Sequence, residues 1–81
     1  MSEGFDAIAD NVRYRLVYGA AHRAVESAQR QLHWMDLANP RDVAKVRREL
    51  RHELGDALDR IDPAIVTEAL EDAMSGRRPR W

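Results

Sequence analysis

Cysteine is absent from the 81-residue chain. That removes disulfides, thiolate metal ligands and a Cys nucleophile together. Aliphatic hydroxyls are limited to Ser2, Ser27, Ser75 and Thr67, and no glycine-rich phosphate loop is present. No nucleophile–base–acid set can be assembled from them, so no catalytic residue and no cofactor is expected. No apolar run approaches the roughly 20 residues of a membrane span. The opening MSEGFDAIADNV lacks a basic n-region and an apolar h-region, so no signal peptide is expected and the expected location is cytoplasmic. Neither sign of charge is in excess: thirteen basic and fourteen acidic residues give −1. Binding to nucleic acid mainly through phosphates would need a local basic patch. A chain this short buries only roughly 60–65% of its unfolded surface. A partner subunit is therefore a reasonable expectation.

What the chain does contain is helix punctuation. Asn39-Pro40 and Asp62-Pro63 each set a good N-cap residue before proline at the first helical position, where the missing N–H costs nothing. Asp42 adds a carboxylate to the first turn, which the helix dipole favours. A second helix is expected over about 40–61, with Val43, Val46, Leu50, Leu54, Ala57, Leu58 and Ile61 as its apolar stripe. A third, about 63–75, turns Ile65, Val66, Ala69, Leu70, Ala73 and Met74 to the core and Glu68, Glu71 and Asp72 to the other side. Gly76 suits the C′ position. No strand pattern appears.

The segment before Asn39 presents two apolar faces. Phe5, Ile8, Ala9, Val12 and Leu16 cluster on one side. From Tyr14 onward the stripe is Tyr14, Val17, Ala21, Ala24, Ala28, Leu32 and Met35, about 150° away. Either the helix bends near Gly19, or it runs on through 5–37 and its first half packs against something else. The absence of proline and of a strong internal cap favours the second. The expected fold is all-α: a three-helix arrangement with a long first helix packed antiparallel on the second, and a short third. Residues 1–76 form a single helical domain and 77–81 (RRPRW) a flexible arginine-rich tail.

Phe5, Ile8, Val12, Leu16 and Trp34 are the expected protein interface, with a homodimer or another protein as partner. The alternative is nucleic-acid contact through Arg41, Lys45 and Arg48, which with His52 line the outer stripe of the second helix, assisted by Arg77, Arg78 and Arg80. Arg47 falls inside the apolar sector, where a guanidinium must snorkel outward or pair. A structural ion pair with Asp10, Glu26 or Glu53 is the expectation. Glu49 and His52 have the Glu-x-x-His spacing of di-iron carboxylate bundles. A single copy with His52 facing outward does not make a metal site, nor does His22 with Glu26, and His33 stands alone.

The stretch LRHELGDALDRIDPAIV, residues 50–66, resembles the opening helix of the all-helical chorismate mutases, roughly L-R-x-x-I-D-x-I-D-x-x-I-x-x-L-L. The resemblance sets Arg51 at that family's substrate-binding arginine, with Asp59, Ile61, Asp62 and Ile65 near the pattern. It covers 17 of the 81 residues. Gly55 and Asp56 disturb the spacing, and Pro63 interrupts a helix that is continuous in the family. The 15 residues after Val66 are too few for the later helices that bring the remaining ligands. The expectation is a non-enzymatic interaction module: an adaptor, inhibitor or regulator.

Overall fold

A computed structural model describes the backbone of residues 2–80 and the side chains of residues 10–80. Three α-helices, α1 (Ser2–Arg30), α2 (Pro40–Leu54) and α3 (Pro63–Met74), are joined by a nine-residue connection and by a 3₁₀ helix, Gly55–Arg60. No strand occurs among the described residues. α1 is the axis of the fold: α2 packs antiparallel against it, and α3 lies along it more extensively. One core lies between the helices. It holds Tyr14, Val17, Ala21 and Val25 of α1, Val46 and Leu50 of α2, Ile61, and Val66, Leu70 and Met74 of α3. Each fully buried aliphatic of this size contributes about 1.5–3 kcal/mol by leaving water. Alanines at 20, 21 and 28 let neighbouring backbones approach α1 closely.

Both expected N-caps form. The Asn39 side chain accepts from the Arg41 N–H at 3.0 Å and the Asp62 side chain from the Ala64 N–H at 2.9 Å, with Pro40 and Pro63 opening their helices. α3 closes with Gly76 at φ 73°. There the Arg77 N–H reaches the Asp72 carbonyl at 2.9 Å and the Gly76 N–H the Ala73 carbonyl at 3.3 Å, a Schellman pattern.

Helix 1 is continuous through Gly19 but ends at Arg30 rather than near 37. The His33 N–H bonds to the Ala28 carbonyl and the Leu32 N–H to the Gln29 carbonyl, both at 2.9 Å. This is the same Schellman closure, with leucine instead of glycine at C′ and a φ of 62°. Leu32, expected in the core stripe, is 84% exposed. Helix 2 stops short of 61 because Gly55 takes φ 56° and donates its N–H to the Arg51 carbonyl. The 3₁₀ segment then advances about 120° per residue rather than 100°, and Ala57, phased for the core in a continuous helix, emerges exposed.

Candidate interaction surface

On α1, Val12 and Leu16 are 53% and 50% exposed. They stand one turn apart, about 140° around the axis from the buried stripe. Arg13, beside them, pairs with Asp10 at 3.5 Å. Phe5 and Ile8 share this register by spacing, and their side chains lie outside the described residues. Trp34, expected at the same interface, sits instead in the α1–α2 connection, 69% exposed. The early end of α1 removes it from that register.

The same connection is organised by Asp42, which is only 5% exposed. One carboxylate oxygen meets His33 Nε2 at 2.9 Å and the other accepts the Asp36 N–H at 2.9 Å. The His33 bond, and after it the Asp36 N–H, holds the Asp42 carboxyl below its ordinary 3.8 despite the opposing effect of burial. His33 therefore does not stand alone. His22 does pair with Glu26 at 3.2 Å, as its i,i+4 spacing allows. No cluster of three metal-ligating side chains forms among the described residues.

Arg41, Lys45, Arg48 and His52 are all exposed along α2. Two of their would-be helpers in the tail, Arg77 and Arg80, are engaged elsewhere. Arg80 Nε lies 3.0 Å from Asp72 and its Nη1 2.5 Å from Glu68, while Arg77 Nη1 lies 3.6 Å from Asp72. The Tyr18 hydroxyl donates to the Arg77 carbonyl at 2.5 Å, and the Arg80 N–H donates to the Tyr14 hydroxyl at 3.1 Å. Residues 77–80 are thus a strap laid across α1 and α3, not a free tail. Trp81 lies outside the described residues.

The strap converges on Asp72, which was expected on the outer side of the third helix and is instead 1% exposed. Seven residues after Ile65 and three after Ala69, it shares their face, and that spacing was the available signal. The fully buried Tyr14 donates its hydroxyl to Asp72 at 2.6 Å. Burial pushes the Tyr14 hydroxyl above its ordinary 10.0, and the bond to Asp72 adds to this, outweighing the Arg80 N–H. For Arg80, burial opposes the charge, but the carboxylates of Asp72 and Glu68 more than offset it and raise its pKa.

Arg47 snorkels. It is exposed, with no carboxylate at ion-pair distance among the described residues, and its stem borders a shallow depression with Leu58, Ile61 and Val66. The expected partners are occupied: Asp10 by Arg13, Glu26 by His22 and Glu53 by Arg23. Arg51 is held by Asp59 through a two-pronged contact at 2.8 and 2.7 Å. That bond raises the Arg51 pKa and lowers that of Asp59. The arginine that the mutase resemblance would use for substrate is neutralised by its own chain, and Gly55 breaks the helix the resemblance needs.

A second depression, about 310 Å³, runs between α1 and α2, lined by Ala20, Ala24 and Ala28 with Arg23, Lys45, Glu49 and Glu53 among its polar rim. No described helix is long and apolar enough to cross a membrane. Comparison of the chain with protein-family models, with curated proteins and with solved structures found no match.

Proposed function

We propose that the chain is a small non-enzymatic protein–protein interaction module that self-associates through the outward face of α1. The observation that carries this reading is the pair of branched aliphatics Val12 and Leu16, half-exposed one turn apart on the side of α1 away from its core. Contiguous exposed apolar surface on a small protein marks contact sites. A helix face pairing with its own copy about a two-fold axis is the commonest closed arrangement. Phe5 and Ile8, at the same register, would extend the seam toward the N-terminus.

Sedimentation velocity over a concentration series tests it. The wild-type chain is expected to pass from monomer to dimer between about 1 and 100 µM, the range of ordinary transient affinities. The Val12→Lys/Leu16→Lys variant is expected to stay monomeric with an unchanged helical spectrum. A wild-type chain that is monomeric throughout would remove the self-association reading.

The exposed row Arg41, Lys45 and Arg48 supports a second reading, a nucleic-acid-associated accessory factor. Binding to duplex DNA through these residues would weaken steeply as salt rises. Absence of binding at low salt would exclude it.

A further inference from the structure

Asp72 and its neighbours form a site that the α1 surface does not use. One oxygen of the buried carboxylate, Oδ2, takes both the Tyr14 hydroxyl at 2.6 Å and Arg80 Nε at 3.0 Å. The other, Oδ1, is buried and has no hydrogen bond. The nearest cation to it, Arg77 Nη1, is 3.6 Å away. A single guanidinium, that of Arg80, addresses two carboxylates through different nitrogens, Nε to Asp72 and Nη1 to Glu68. Only the planar fork of arginine offers donors in that arrangement, whereas a lysine ammonium is a point charge.

The occupant is held by its polar contacts rather than by structure of its own. Residues 77–80 have no regular secondary structure, and their described contacts with α1 and α3 are polar. The Arg77 and Arg80 side chains are 66% and 52% exposed. The Arg80–Glu68 pair, open to water on both sides, contributes little and weakens with salt. An empty socket, by contrast, would strand a buried carboxylate without a cation, which is strongly disfavoured. The strap can therefore exchange, but the socket must be refilled by something of the same chemistry.

We propose that Asp72, Tyr14 and Glu68 form a guanidinium socket that accepts an arginine from an extended segment of a partner polypeptide, with Arg80 as the built-in competitor. Such a segment would repeat the contacts of the strap. A second donor reaching Oδ1 would add the hydrogen bond that the strap leaves unmade. Tyr14 and Tyr18 lie on the opposite side of α1 from Val12 and Leu16, so this site is independent of the self-association reading.

The test is fluorescence anisotropy of a labelled, end-capped peptide GRRPR, matching residues 76–80, added to the full-length chain. The Arg80→Ala chain is expected to bind it at least tenfold more tightly than the wild type, whose own strap competes. The peptide GKKPK is expected to bind the Arg80→Ala chain at least tenfold more weakly than GRRPR. Adding Asp72→Asn to Arg80→Ala should abolish binding. If that double variant does not fold, as judged by circular dichroism, Glu68→Gln on Arg80→Ala should weaken binding severalfold. Equal binding to wild type and Arg80→Ala, equal binding of the lysine peptide, or no binding to Arg80→Ala would each overturn the proposal.

Discussion

Tyr14 and Asp72, 58 residues apart in the chain, meet in the interior with the phenol donating to the carboxylate at 2.6 Å. The bond ties the midpoint of α1 to the last turn of α3, and both residues are essentially without solvent contact. Removing the donor leaves a buried charge one partner short. Tyr14→Phe is therefore expected to cost about 1.5–3 kcal/mol, the range for hydrogen bonds to charged groups, measured by urea denaturation at neutral pH. The sign of the pH effect follows from the raised Tyr14 pKa. The folded chain keeps the proton that the unfolded chain releases near 10.0. The contribution is thus complete below that pH and declines as pH rises toward the folded value. The Tyr14→Phe chain should show less of this alkaline loss than the wild type.

Leu32 closes α1 in the left-handed conformation, φ 62°, with its side chain 84% exposed. A left-handed non-glycine residue costs roughly 1–2 kcal/mol, and little burial is lost on trimming it. Leu32→Gly is expected to raise stability by about 0.5–1 kcal/mol, the relief of strain being partly offset by the greater unfolded-state freedom of glycine. A rise in melting temperature with an unchanged helical signal would confirm the cap. A fall would mean that the leucine side chain packs somewhere that matters.

This cap also shows where the sequence stops being legible. Asn39-Pro40, Asp62-Pro63 and Gly76 announce their helix ends through residue types that suit those positions, and the structure has them there. The end of α1 has no such residue. It is imposed by the geometry of the chain turning back toward α2, at a position where leucine is the wrong residue by propensity. Gly55 was visible as a disturbance of spacing, but the change of helical phase that follows, and with it the exposure of Ala57, depends on a tertiary choice. For Asp72, placing a carboxylate on an apolar face is unfavourable alone. Only the distant Tyr14 and the strap make it tolerable, and no local pattern announces a contact spanning 58 residues.

Asp42 does for the α1–α2 connection what Asp72 does for the strap. Its folded pKa lies below 3.8, mainly through His33 and then through the Asp36 N–H. A depressed carboxyl pKa contributes stability that is present above the unfolded value and is lost as pH falls through the folded one. Thermal melts between pH 7 and 2.5 should therefore show a wild-type decline below about pH 4 that is shallower in Asp42→Asn. His33→Ala should remove part of the same acid dependence. If both variants track the wild type across this range, the carboxylate does not hold the connection in solution.

Arg47 separates two kinds of inference from one helical wheel. Its angular position among Val43, Leu50 and Leu54 argued for burial and hence for a needed partner. The side chain is long enough to lay its stem beside Leu58, Ile61 and Val66 while the guanidinium stays in water. With no carboxylate engaged, Arg47→Met keeps the apolar stem and discards only a solvated charge. Surface changes of this kind usually fall within about ±0.5 kcal/mol, and that is the expected result by urea denaturation. Arg47→Asp would lose the stem as well and bring a carboxylate against aliphatic carbons. It should destabilise by about 1 kcal/mol, the ordinary cost of an unfavourable point substitution. A large loss in the methionine variant would instead require an ion pair formed in solution, with Glu53 or Asp10 exchanging its present arginine for Arg47.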